Sequence, residues 1–373
     1  MAGIDNNLAE LRRKRGLAAA NLARMVGSSR QTIYAMEAGT YVPNTLLALK
    51  LARALDVTVE ELFSLAGGEA DAQLPTERVA VLPGGDALQP EQPVQLCRVG
   101  RSMVAAAPAS APWYFPASDA IVARQPSAGG KADVQVFHSG EELARRILVA
   151  GCDPAISVLA RHVRAAGIEL VLAHRNSSQA LSLLKLGCVH VAGTHLRDEA
   201  TGESNLAEIG RIFRRNSVAV ISYAVWEDGM VTARGNPKGI KGVEDLARGD
   251  VSIVNREPGA GSRRLLDARL ERLGIAPAKV RGYQNEAPGH LPAAWQVLRG
   301  AADCCIATRA AARMFGLGFI PLASERYDLV IRRPHLDLPG VQAMLDTLSR
   351  SAFRRELETL GGYDTRPAGR RVL

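Results

Sequence analysis

The sequence predicts an all-α domain of five helices, a short β-rich connecting segment and an α/β domain. Three observations lead there. Up to residue 66 apolar residues recur at helical spacing and stop at Gly or at capping residues. From residue 136 short apolar runs alternate with amphipathic stretches. Between them, residues 81–135 hold short apolar runs such as VQLCRVG and SDAIVAR, broken by Pro and Gly.

The first helix follows from Leu8, Leu11 and Arg12 and ends at Gly16. Leu22, Ala23, Met25 and Val26 mark a second, closed by Gly27. Ser29 caps a third, with Ile33, Met36 and Ala35 inward and a stop at Gly39. Pro43–Asn44 opens a fourth, carrying Leu47, Leu51 and Leu55. Thr58 opens a fifth, and Glu61 completes an approximate capping box. Residues 67–80 turn to Gly, Ala, Pro and charge and read as a linker.

Beyond residue 136, ILVAG precedes DPAISVLARHVRAAG, ELVLAH precedes SSQALSLLKLG, and VSIVNR precedes GSRRLLDARLERLG. SVAVISYAVWEDGMVTARGNP and FIPLASERYDLVIRR read as long strands. The alternation predicts a mostly parallel sheet with helices on both faces over 136–373.

Composition narrows the function. The chain has 373 residues, 47% of them hydrophobic and 23% charged, enough apolar surface to bury real cores. A net charge of +8 suits a polyanionic partner. Five cysteines without CxxC or Cys/His spacing read as reduced thiols in a cytoplasmic protein, with no metal site and no cofactor motif. The opening MAGIDNNLAELRRKRG reads as no signal peptide, and no apolar run reaches the length of a bilayer span. The histidines follow no triad spacing, so the sequence predicts no enzyme and no catalytic residue.

LARMVGSSRQTIYAMEAG carries a helix, a tight turn and a second helix, the arrangement that seats a helix in the DNA major groove. Ser28, Ser29, Arg30, Gln31, Thr32 and Tyr34 fall where base edges would be read. Arg bonds guanine and Gln bonds adenine bidentately. Residues 6–65 resemble the five-helix domain of Cro/repressor-type (XRE family) regulators, above all over SSRQTIYAMEAGTYVPNTLLALKLARALDVTVEELF. The resemblance implies binding to double-stranded operator DNA as a homodimer. Ala18, Ala19 and Ala20 stand where that family often has a phosphate-anchoring Gln. The backbone grip is then weaker, or it passes to Arg12, Arg13, Lys14 and Arg15, a run that reads equally as a solvated helix face.

Four strand-to-helix junctions are polar or Gly-rich: AGCDPA at 150–155, HRNSSQ at 174–179, EPGAGSR at 257–263 and APGHLP at 287–292. Helix starts offer free N–H groups to anions. Each junction alone is explained by capping, Asp153 with Pro154 at the first helical position being one case. GAGS lacks the Walker lysine, which excludes a P-loop.

The stretches GCDPAISVLARHV, VHVAGTHLRDEATGE, GNPKGIKGVEDLARGDVSIVNREPGAGSRRLLD and ERYDLVI resemble the periplasmic-binding-protein-like domains fused to helix-turn-helix regulators, relatives of molybdate-binding proteins. That resemblance implies two α/β lobes (type II-like), joined by crossover strands, that close on an effector such as molybdate or tungstate. It assigns first-lobe contacts to Cys152, Asp153, Ser177 and Ser178, with Thr194 and His195 near the hinge. It assigns second-lobe contacts to Gly259, Gly261, Ser262, Arg263 and His290. The relatives carry a Tyr on a late strand where this chain has DCCIATR. The expectation is a one-component regulator controlled by its ligand. The alternatives are an organic metabolite or another oxyanion such as sulfate or phosphate, a ligand-free dimerisation domain, or an enzyme with a DNA-binding tether.

Overall fold

The computed structural model describes residues 4–65, 76–84, 88, 93–106, 118–127, 130–138, 143–197, 204–214 and 216–373. The chain divides into two compact units, Met1–Leu74 and Pro75–Leu373.

The first unit contains α1 (Leu8–Lys14), α2 (Ala19–Val26), α3 (Arg30–Glu37), α4 (Thr45–Leu55) and α5 (Val59–Leu62). Leu8, Leu22, Val26, Ile33, Met36, Leu51, Leu55 and Leu62 share one core. The capping expectations hold. Ser29 accepts from Thr32 N, Asn44 from Leu47 N, and Thr58 with Glu61 forms a complete capping box. Three details differ. Met25 lies on the outer face of α2 and is exposed. Arg12 is no free phosphate ligand: its guanidinium holds Glu37 at 2.6 and 3.1 Å and the Leu17 carbonyl at 2.8 Å. A strand pair, β1 (Ile4–Asn6) antiparallel to β2 (Phe63–Leu65), ties the ends together; three residues at each end carry too little periodicity to be read.

The second unit begins with a closed barrel. Its strands are β3 (Thr76–Val81), β4 (Pro93–Val99), β5 (Ser102–Ala106), β6 (Ala120–Ser127) and β7 (Lys131–Val136), in the order β3-β5-β4-β6-β7. The stretch 67–80 is therefore not all linker, because β3 starts at Thr76; residues 67–75 lie outside the described ones. Val79, Val94, Leu96, Ala105, Val122 and Val134 fill the barrel. Its outer residues Cys97, Val99 and Val104 pack into the neighbouring α/β core. Arg146 clamps the joint, pairing with buried Asp119 of the barrel and with Glu169.

The α/β region runs β8 (Arg146–Gly151), α6 (Ile156–Arg164), β9 (Glu169–His174), α7 (Ser177–Leu186), β10 (Val191–Thr194), α8 (Leu206–Ile212) and β11 (Val218–Thr232). It continues with β12 (Ile253–Arg256), α9 (Gly261–Arg272), β13 (Glu286–Ala287), α10 (His290–Leu298), β14 (Cys304–Thr308), α11 (Arg309–Met314) and β15 (Gly318–Arg332). It closes with α12 (Pro339–Leu348), α13 (Ser351–Thr359) and β16 (Tyr363–Asp364). The strand order is β13-β12-β14-β11-β15-β10-β8-β9, with β16 on β11.

That order separates two lobes. β8, β9 and β10 pair in parallel on one side, and β12, β13 and β14 on the other. The long strands β11 and β15 cross between them, antiparallel to each other over almost their whole length. The expected crossover strands are thus present, while the sheet is mixed rather than mostly parallel. Register shifts fall at Ser222/Ala224 and Asp228/Gly229, where the sheet passes from one lobe to the other. Bulges there bend the strands and re-aim side chains.

Candidate functional site

On the first unit, α3 presents Ser29, Arg30, Gln31 and Tyr34 to solvent, with Thr32 and Ser28 half-buried. These polar groups satisfy one another. Ser29 and Thr32 hydroxyls lie 2.8 Å apart, and Arg30 Nη2 donates to Tyr34 Oη at 3.1 Å.

The second site lies between the lobes. His195 follows β10, Cys152 follows β8 and His290 opens α10 from the opposite lobe. One ligating atom from each lies within 4.8 Å of the others. All three residues are at most 1% exposed. Trp226 of β11 packs edge-on against both rings, with centroids 4.7 Å from His195 and 5.4 Å from His290. Tyr327 of β15 backs Trp226 at 4.8 Å. The composition is poor in aromatic residues, yet the cleft floor is rich in them.

The charge pattern is unusual. Buried Glu325 holds His195 Nδ1 at 2.7 Å. Burial lowers the pKa of this imidazole, but the Cys152 sulfur and the Glu325 carboxylate outweigh it and hold the value up at about 10. The ring is therefore a cation. Burial, Arg256 and the His195 charge push His290 well down, so that ring is neutral. Burial raises Asp228 to about 7, reinforced by Glu325 beside it. Burial also raises Asp153 to about 6, against the bond from Tyr363.

Several buried polar atoms have no hydrogen-bond partner among the described residues. They are His195 Nε2, both ring nitrogens of His290, Trp226 Nε1, Arg256 Nη1 and Asp153 Oδ2. Leaving such a group unsatisfied costs about 1–3 kcal/mol, and more if it is charged. Four residues offering donors, from both lobes and the crossover strand, thus each keep a buried polar atom with nothing to bond.

The lobes meet across this site. Asn176 Nδ2 donates to the Pro258 carbonyl at 3.1 Å, and Ser178 N reaches the Gly259 carbonyl at 3.5 Å. Gly261 abuts the His195 ring so closely that a Cβ there would sit 2.5 Å from Cε1. Gly289, the residue before α10, has φ +114, a conformation that favours glycine, and a Cβ would lie 2.7 Å from His174 Nε2.

The residues singled out from sequence divide into two groups. Cys152, His195 and His290 come together at the centre, with Gly261 against them. Ser177, Ser178, Gly259 and Ser262 line the closure but spend their groups locally, as Asp153 does through Oδ1 alone. Asp153 Oδ1 takes the Ala155 N–H and Tyr363 Oη, and Ala155 is the cap of α6, so the expected cap at Asp153 shifts by two residues. Asn176, not a serine, caps α7, through a capping box with Gln179. Ser177 Oγ accepts from His195 N, and Ser262 Oγ donates to Asp228 at 2.6 Å. Thr194 turns to Asn205, on the opposite side of the strand from His195. Arg263 leaves the cleft altogether: it bonds the Arg256 carbonyl and Glu286 and stacks over Tyr283.

Sequence reasoning missed Asn176, Trp226, Asp228, Arg256, Glu325 and Tyr327. A signal existed, since WED and ERYD place acids inside otherwise apolar strands. It also found no nucleophile–base–orienter set, whereas the fold places Cys152 beside His195, itself held by Glu325.

The PBP superfamily domain matches residues 160–349, just over half of the chain, and a helix-turn-helix family matches residues 8–62. The uncharacterised Bacillus subtilis protein YvgK is 34% identical over 250 residues, covering 67% of this chain and 80% of its own. The uncharacterised helix-turn-helix regulator YgzD of the same species is 43% identical over 62 residues, covering 17% of this chain and 94% of its own. Among solved structures, the sulfate-binding protein SubI of Mycobacterium tuberculosis aligns with a TM-score of 0.42 at 15% identity, covering 58% of this chain and 86% of that one. The effector-binding domain of QuiR, solved with shikimate, aligns with a TM-score of 0.40 at 13% identity, covering 54% of this chain and 93% of that one. The chain belongs to the PBP superfamily domain family and is a helix-turn-helix transcription regulator with a PBP-like ligand-binding domain.

Proposed function

We propose that this is a one-component regulator whose DNA binding is set by a compact oxyanion, molybdate or tungstate, held between the lobes, and that it is not an enzyme. The single observation that supports the ligand class most is the set of buried, unpaired donors: His195 Nε2, Trp226 Nε1 and Arg256 Nη1. A small multi-oxygen anion accepts from all of them at once. Donors fixed in a dry, low-dielectric site hold an anion strongly. The donors come from both lobes and a crossover strand, so the ligand favours the closed form over an open one by its differential contacts. In a homodimer, closure changes how well two DNA-binding domains reach two half-sites one helical turn apart.

The test is calorimetric titration of the full chain with molybdate, tungstate, sulfate and phosphate in parallel. Sub-micromolar binding of the first two alone is the expected result. Heat from none of the four removes the oxyanion.

The Cys152–His195–Glu325 alignment favours a second reading, a thiol hydrolase. Turnover of an activated ester by the wild-type chain and its loss in Cys152→Ala is the result that reading requires.

A further inference from the structure

The buried groups gathered between the lobes are of two chemical kinds, and one compact ligand can answer both. His195 Nε2, Trp226 Nε1 and Arg256 Nη1 are hydrogen-bond donors, suited to oxygen. Cys152 Sγ and a ring nitrogen of His290, both of whose nitrogens lack a partner, are metal-ligand atoms lying together. Sulfate and phosphate have no use for these last two, because their central atoms take no further ligand. A pair of lone-pair donors facing an oxygen is repulsive. A bare divalent cation has the reverse difficulty: it leaves the Trp226 N–H and Arg256 Nη1 unmet.

Resting on the oxyanion reading, we infer that Cys152 and His290 bind the metal of an oxometalate directly, while His195, Trp226 and Arg256 hold its oxygens. The sulfur and the imidazole nitrogens lie within 4.8 Å of one another. Two ligands on one metal lie at most two bond lengths apart, and metal–sulfur and metal–nitrogen bonds run about 2.0–2.3 Å in tetrahedral sites. The 4.8 Å bound slightly exceeds two such bonds, and a single centre serves both once the side chains draw in by a few tenths of an ångström. Glu325 on His195 Nδ1 fixes that ring's orientation, as carboxylates do behind the imidazoles of metal sites.

The step balances without redox chemistry. The Cys152 S–H bond breaks and an S–metal bond forms. The thiol proton passes to one oxo group, which stays on the metal as hydroxide. The His290 lone pair adds as a further ligand, and the metal remains hexavalent. Selectivity follows, because hexavalent molybdenum and tungsten expand their coordination shell whereas sulfur and phosphorus in their tetrahedral oxyanions do not.

The experiment is molybdenum K-edge X-ray absorption with near-ultraviolet difference spectra on the full chain plus molybdate, for wild type and Cys152→Ser. Calorimetry runs in parallel, and thermal unfolding confirms that the variant folds. We expect a sulfur scatterer and a sulfur-to-molybdenum charge-transfer band in the wild type. Both vanish in Cys152→Ser, with affinity about tenfold or more weaker. Tight molybdate binding with oxygen scatterers alone overturns direct ligation and leaves the oxyanion reading standing. No molybdate binding overturns both. Equal affinity for sulfate overturns the selectivity. Zinc or copper retained by the dialysed protein and released in Cys152→Ser assigns the same atoms to a cation and also overturns the inference.

Discussion

The recognition helix α3 and the interlobe cleft both gather polar side chains, and they do so in opposite ways. Around α3 the groups are mostly exposed and already bonded to one another, as with Ser29 and Thr32, or Arg30 and Tyr34. In the cleft they are buried, and His195, His290, Trp226 and Arg256 each keep an unpaired atom. A surface that meets a hydrated macromolecule pays little for polar groups that water can satisfy. A cavity that excludes water leaves them unsatisfied until a ligand arrives. On the proposed function, the difference separates the polar residues that would serve DNA from those that would serve an effector.

The contrast breaks first at Glu325. Glu325→Ala leaves the buried His195 cation alone, and the second unit should lose about 3–5 kcal/mol in denaturant unfolding. In the first unit the comparable loss needs an apolar change. Leu51→Ala should cost about 2–5 kcal/mol and abolish DNA binding, with molybdate binding to the second unit retained. If Leu51→Ala also removes ligand binding, the two units do not work as separate sites.

Closure is tested at Gly261→Ala. Its Cβ strikes the His195 ring and holds the lobes apart, so oxyanion affinity should fall about tenfold or more while unliganded DNA binding persists. Unchanged affinity would mean that His195 yields and the close approach is incidental.

The cleft should also respond to pH. The folded pKa of Asp228, about 7, and of Asp153, about 6, both lie above the model-compound value of 3.8. Stability from burying the neutral acids is therefore complete below about pH 4 and is lost as pH rises through 6 to 7. A bound anion meets less repulsion where these acids are protonated. Its affinity should rise as pH falls from about 8 to 6, and Asp228→Asn should flatten that slope in calorimetry. A slope unchanged in Asp228→Asn places the linkage elsewhere. The smallest effect is at the surface. Arg30→Ala should change stability by no more than about 0.5 kcal/mol and still cost about 1–3 kcal/mol of base discrimination in a binding-site selection.

Much of this contrast could be read in the sequence. The caps at Ser29, Asn44 and Thr58 and the periodicity of Leu51 and Leu55 are local signals, so the first unit was legible nearly residue by residue. In the second unit the junctions carrying Cys152, Gly261 and His290 announced themselves as polar breaks, while His195 came from the family resemblance. Glu325 and Trp226 were harder: an acid inside an apolar strand is a signal, but on a fifteen-residue strand the period does not say where the cleft crosses. Arg263 was misread for a related reason. Successive residues of a helix are turned by about 100°, so Ser262 reaches Asp228 while Arg263 turns to Tyr283. The barrel showed only as β-rich, since closure depends on pairing β3 with β5 and β7, which is not encoded in any one strand.

The central claim is that filling the cleft changes DNA binding. The direct measurement is fluorescence anisotropy of the full chain on a selected operator, with and without saturating molybdate, for the wild type and Gly261→Ala. The account predicts that molybdate shifts the wild-type DNA affinity about fivefold or more and leaves Gly261→Ala unmoved. Wild-type DNA affinity identical with and without bound molybdate would contradict it.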